Sequence, residues 1–288
     1  MSKLFLSNPT AVAGVLTGHQ GNVSMLCAPI IFVMLLFAGN YCKAQSSVQL
    51  APPLMKYYSV FFKDASIVEL KFAQPGTQIH YTLNNQQPTE QDQVYSKPIR
   101  VKKSFTTVKA MAAGEGFLNS ETVSATFIKD GIKIKSVQQT TANVKFPGSG
   151  INTLIDNEGG ITDLNSKTWL GYQLDSVEIN VEMVEMQNLS SVLINCLQDH
   201  GSWVFLPEQF RVYSFDNNKQ SFQLIAEQID SSKQIIASAS CRPLTIQLAE
   251  KIITQKLKIV LQGIKSLPEG HPGKGQHGWL FIDEIKLY

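Results

Sequence analysis

Three features of the sequence predict an all-β protein made of two successive sandwiches. From Val48 onward, apolar and polar residues alternate in short runs, with little of the 3.6-residue spacing of an amphipathic helix. Turn-forming clusters interrupt these runs: Gln74-Pro75-Gly76, Asn84-Asn85, Ala113-Gly114-Glu115-Gly116 and Asp216-Asn217-Asn218. Short strands broken up in this way point to sandwiches. Third, a joint at Lys129-Asp130-Gly131 divides the pattern into stretches 48–130 and 131–288, each long enough for its own core.

The first 44 residues differ in kind. They hold no Asp or Glu and two lysines, Lys3 and Lys43, so without them 23 basic residues (25 − 2) balance 23 acidic ones. The apolar run 28–39 is too short for a membrane span of roughly 20 residues and suits the core of a signal peptide. Cys42-Lys43-Ala44 supplies small residues for cleavage before Gln45. A periplasmic or extracellular protein is therefore expected. A buried helix or retained anchor stays open as an alternative, as do a start at Met25 and lipidation of Cys42, although Tyr41 is unusual beside a lipidated cysteine.

In the first stretch, Ile79-His80-Tyr81-Thr82-Leu83 alternates as a strand and Asn84-Asn85-Gln86-Gln87-Pro88-Thr89 turns the chain. Val94-Tyr95-Ser96-Lys97-Pro98-Ile99 and Phe105-Thr106-Thr107-Val108-Lys109-Ala110-Met111-Ala112 follow. This order resembles the chitobiase/β-hexosaminidase C-terminal domain, a small immunoglobulin-like sandwich, over residues 50–128. Asn84-Asn85 replaces that family's Asp-Gly, and because Asn tolerates positive φ the turn is expected to form.

The second stretch alternates through Val177, Ile179, Val181 and Met183, through Lys256–Leu261, and through Trp279–Tyr288. It carries, in order, Leu154-Ile155-Asp156-Asn157, Trp169-Leu170-Gly171-Tyr172, Leu197-Gln198-Asp199, Ser202-Trp203-Val204-Phe205-Leu206-Pro207 and His271-Pro272-Gly273. These segments resemble the discoidin-like (coagulation factor 5/8 C-type, galactose-binding-like) jelly roll, which includes the family 32 carbohydrate-binding modules. Together the two stretches resemble the accessory tail of bacterial family 20 β-N-acetylhexosaminidases. The export segment runs directly into the first sandwich with no room for a catalytic barrel. The expectation is thus an exported, non-catalytic binder of amino-sugar or galactose-containing glycans. A different class of function stays open: docking onto another protein, such as a separately encoded glycoside hydrolase.

Several chemistries are disfavoured. Balanced charge gives no electrostatic reason for nucleic acid, and the lysines between 251 and 265 alternate with apolar residues as on a solvated strand face. No Gly-x-Ser-x-Gly elbow occurs, and Gly148-Ser149-Gly150 reads as a linker. Asp283-Glu284 matches the acidic pair of hexosaminidases, but neighbours on a strand point to opposite faces and cannot share a hydrolytic site. Cys196 and Cys241 would either pair in an oxidising compartment or stay apart as small buried hydrophobes.

The jelly-roll resemblance implies a structural calcium ion. Carried over by position, Asp156 and Glu284 would give carboxylates, Thr162 a hydroxyl or carbonyl, and Asp283 a carbonyl, towards the six to eight oxygens calcium takes. Alternatively, Asp156 caps a turn and Glu284 faces solvent. Sugar recognition needs an aromatic face with a few orienting polar groups. The candidates are Tyr172, His200 and Trp203, with His271 and His277 on the Gly- and Pro-rich loop 269–278. The competing reading makes Trp169, Trp203 and Trp279 core residues, since each borders a strand.

Overall fold

Branched and aromatic residues at alternate positions give strands, and every regular element described here is a strand or a short 3₁₀ turn. A computed structural model describes residues 48–230, 238–267 and 269–288. The predicted signal peptide and Cys42 lie outside the described residues.

Among the described residues, the chain up to the Asp130 joint forms ten strands. They are β1 (Val48–Gln49), β2 (Leu54–Lys56), β3 (Phe61–Phe62), β4 (Ser66–Lys71) and β5 (Thr77–Thr82). Then come β6 (Gln93–Val94), β7 (Ile99–Val101), β8 (Thr106–Gly114), β9 (Phe117–Leu118) and β10 (Val123–Lys129). A five-stranded sheet, β3-β10-β8-β5-β6, faces the three-stranded sheet β2-β4-β7. Between them lie Val68, Ile79, Val101, Val108 and Phe127, with Leu193 from the second stretch added to the same cluster. The Asn84-Asn85 turn forms as expected: Asn85 adopts φ 66°, and the Asn84 side chain accepts from the Gln86 N–H at 3.2 Å.

Seven strands follow: β11 (Ile134–Gln139), β12 (Leu170–Tyr172), β13 (Ser176–Gln198), β14 (Gln209–Asp216), β15 (Ser221–Ile229), β16 (Ser240–Gln262) and β17 (Leu280–Leu287). They run in the order β12-β17-β13-β16-β14-β15, with β11 also on β13. The two 23-residue strands β13 and β16 pair antiparallel along their length, with register shifts after Glu182 and after Leu189. Such irregularities bend a strand sharply. The Val177–Glu182 half of β13 has β11 on its free edge, and the Val192–Leu197 half has β17 there. Two faces cut from one curled sheet thus enclose a core that includes Ile179, Met183, Ile194, Ile259 and Ile285.

Gly148-Ser149-Gly150, expected as a linker, is a packed turn inside this second sandwich. The Ser149 N–H donates to Thr153 Oγ1 at 2.7 Å and the Ser149 hydroxyl to the Lys167 carbonyl at 3.1 Å. Cys196 and Cys241 are free thiols, and burial pushes both above the usual thiol range.

Among the described residues, no ladder joins the strands before Asp130 to those after it. The chain from Ser46 on nevertheless forms one compact unit. Its joint is gripped by the last strand: the Ile132 N–H donates to the Leu287 carbonyl at 2.7 Å and the Tyr288 hydroxyl to the Lys129 carbonyl at 2.8 Å.

Candidate functional site

At the end of β13 the chain makes a 3₁₀ turn, His200–Ser202, and leaves it through Trp203 in the left-handed region at φ 65°. A bulky residue rarely adopts that conformation, and strain of this kind concentrates at binding sites. It lifts the indole towards the loop 269–278. There Gly273 is so close that a Cβ would lie 2.6 Å from the ring. The same loop is tied down by Leu267 N–H to Gln276 carbonyl at 2.8 Å and Gly278 N–H to Ile264 carbonyl at 3.0 Å.

Four rings meet here. His200 stacks on Phe205 at 4.9 Å between centroids, with 26° between planes. His271 stands edge-on to Trp203 at 5.2 Å and to Phe205 at 6.0 Å. The imidazoles are oriented by hydrogen bonds. Arg242 donates to Gln198 Oε1 at 3.2 Å, and Gln198 Nε2 lies 3.2 Å from His200 Nε2. The Gly273 N–H donates to His271 Nδ1 at 3.0 Å, which leaves the proton of neutral His271 on Nε2. Burial lowers the His200 pKa, favouring the neutral ring. Half-buried aromatic faces beside fixed donors and acceptors can stack on apolar C–H groups and orient hydroxyls.

Of the five expected ligand residues, His200, Trp203 and His271 come together. Tyr172 does not: on β12 it is 1% exposed within the second core, so its ring packs against protein and cannot meet a ligand. His277 turns away to Asp175, with Nδ1 3.4 Å from Oδ1 and no hydrogen bond between them. Sequence reasoning missed Phe205, Gln198 and Arg242 as site residues. Phe205 stands inside the quoted Ser202–Pro207 run, whereas Arg242 reaches Gln198 across 44 positions and leaves no local signal.

The side chains of Asp283 and Glu284 point to opposite faces of β17. Asp283 is fully buried; it accepts from the Gly160 N–H at 2.8 Å and from Asn195 Nδ2 at 2.7 Å. Burial pushes its carboxyl up to about 8. Glu284 points the other way, accepting from the Asn157 N–H at 2.9 Å and from the Lys286 ammonium at 2.9 Å. It is sealed from solvent, contrary to the solvated alternative; burial raises its carboxyl while Lys286 opposes that rise. Asp156 Oδ1 caps its own turn through the Glu158 N–H at 2.8 Å. Thr162 is exposed on a cleft of about 730 Å³ between the sandwiches, lined also by Tyr57, Cys241 and the Asp283 partners Gly160 and Asn195. No group of three His, Cys, Asp or Glu residues able to hold a metal occurs among the described residues. Of the two expected carboxylate donors, Asp156 is engaged in capping its own turn and Glu284 already holds the Lys286 ammonium.

Comparison with known proteins matches residues 68–127 to the Fn3-associated family, a stretch within the first sandwich. No curated protein matches. Among solved structures, the family 32 carbohydrate-binding module of Streptococcus pneumoniae EndoD is 15% identical with a TM-score of 0.37, covering 55% of this chain and 96% of that one. The family 32 module of Clostridium perfringens NanJ, solved with galactose, is 17% identical with a TM-score of 0.34, covering 53% and 91%. The C-terminal domain of a Bacteroides fragilis chitobiase is 17% identical with a TM-score of 0.34, covering 54% and 93%. Likenesses this distant carry no weight for function, which rests on the side chains.

Proposed function

We propose that the protein is an exported, non-catalytic carbohydrate-binding protein, and that its sugar site is the ring cluster of His200, Trp203, Phe205 and His271. The observation behind this reading is the cluster itself: two half-buried aromatic rings and two oriented imidazoles, the pairing of apolar face and polar edge that a pyranose presents in complement. Galactose-containing or amino-sugar glycans are the ligand class favoured by the resemblance in sequence order. The divergence of Asp283 and Glu284 supports a binding role over hydrolysis. Export is supported by the apolar run 28–39 and the small residues before Gln45.

A glycan array on the purified protein tests this, with the Trp203→Ala variant alongside. Selective binding to one sugar class that is lost in the variant is expected. A blank array from folded protein would move the assignment to a docking role. One observation favours that second reading: the outer hairpin β14–β15 carries Phe215 and Phe222 at 5.3 Å, with Lys256 and Lys258 over the rings and exposed Leu224 on the same hairpin, a mixed apolar and cationic surface suited to a protein partner.

A further inference from the structure

Lys286 lies on β17 with 3% of its side chain exposed, a position lysine rarely takes unless paired. Its ammonium donates to Asp130 Oδ1 at 2.8 Å, Asn157 Oδ1 at 2.7 Å and Glu284 Oε1 at 2.9 Å. Three acceptors meet the three N–H donors of an ammonium group, so its hydrogen-bonding capacity is filled. The Phe61 ring lies 5.6 Å from Nζ and adds a cation–π contact. Asn157 also ties the acceptors together, donating its N–H to Glu284 Oε2 at 2.9 Å and its Nδ2 to Asp130 Oδ2 at 3.3 Å.

The partners come from four separate segments: β3 of the first sandwich, the joint at Asp130, the loop after the 3₁₀ turn Ile151–Leu154, and β17. Two carboxylates and an amide oxygen converging at a loop and a last strand would ordinarily attract a cation. Here the cation is covalently part of the chain. A calcium ion sharing Glu284 with Lys286 would sit a few ångströms from a second positive charge, and it would still lack most of its six to eight oxygens. We propose that the Lys286 ammonium is the built-in cation of this junction, clamping the two sandwiches together without any requirement for metal.

Thermal unfolding of the purified protein, in millimolar calcium and again in chelator, tests the metal half of the proposal. The expected Tm is the same in both; a reversible rise of several degrees with calcium would overturn it. The clamp half is tested by a double-mutant cycle of Lys286→Met and Glu284→Gln. Lys286→Met alone strands two carboxylates and is expected to lower Tm by roughly 5 °C or more. The double variant should lose distinctly less than the sum of the single variants, because it removes an unpaired buried charge as well. Strict additivity, or an unchanged Tm in Lys286→Met, would refute the clamp. Should Lys286→Met fail to fold, the calcium comparison and Glu284→Gln on the parent protein remain decisive. Glu284→Gln keeps the shape but weakens the ammonium's partner, and a Tm unaffected by it would overturn the proposal.

Discussion

Trp203 shows how a single residue sets up the candidate site. Its left-handed backbone costs on the order of 1–3 kcal/mol, a cost the fold retains while the indole is held against Gly273 and edge-on to His271. Trp203→Ala is expected to weaken glycan binding roughly 10-fold or more while leaving a folded protein, as read by calorimetric titration beside a thermal melt. Equal affinity in the variant would remove the cluster from consideration as the sugar site. Asp283 makes a second residue-scale prediction. Its folded pKa of about 8 lies above the ordinary value of 3.8, so between those values the folded chain keeps a proton that the unfolded chain has released. Stability from this group is therefore present at low pH and lost as pH rises through about 8. Asp283→Asn should make the fall in urea midpoint between roughly pH 5 and roughly pH 9 shallower. Parallel pH profiles for parent and variant would rule this out.

At the scale of elements, the loop after the 3₁₀ turn Ile151–Leu154 is wedged between the sandwiches by two glycines. A Cβ on Gly159 would lie 2.2 Å from Asp283 Oδ2, and one on Gly160 would lie 1.9 Å from Val60 Cγ2; both have positive φ. Gly160→Ala is expected to cost about 2–4 kcal/mol, overpacking added to backbone strain. Gly116→Ala shares the positive φ but meets open space and should cost only about 1 kcal/mol. Urea unfolding of the two variants separates packing from strain; equal losses would show that the contact with Val60 contributes nothing. Neither close approach was legible in the sequence, since a glycine there looks like any loop glycine. What was legible followed period and turn chemistry: the strands of both sandwiches, the Asn84-Asn85 turn, and the opposed faces of Asp283 and Glu284. Bulges hid the length of β13 and β16, because each register shift breaks the alternation that marks a strand. Tyr172 misled because a tyrosine beside a loop and a tyrosine sealed in a core have the same local sequence. Lys286 was invisible for a related reason. In Ile285-Lys286-Leu287 it reads as a solvated strand position, and its partners Asp130 and Asn157 stand 156 and 129 residues away.

Across the whole molecule, the question is whether two sandwiches with separate sheets behave as one body. Two domains joined by a tether would unfold independently, each with its own core and transition. Here the second sandwich contributes a residue to the core of the first. Leu193, on β13 of the second sandwich, is fully buried within the cluster of Val60, Phe61 and Phe127 from the first. Beside it, β17 binds the joint through Lys286, Leu287 and Tyr288, and Tyr58 reaches Glu158 at 2.7 Å. Such contacts make the free energy of one half depend on the other being folded, so scanning calorimetry should show one transition whose calorimetric and van't Hoff enthalpies agree. Leu193→Ala probes the coupling directly. Truncating a sealed leucine costs about 2–5 kcal/mol. If the sandwiches are coupled, that loss shifts the single transition downward as a unit. If they are independent, the variant splits it, because the half that does not need Leu193 keeps its original melting temperature. A single, lowered transition would mean that the candidate site and the first sandwich fold as one cooperative unit.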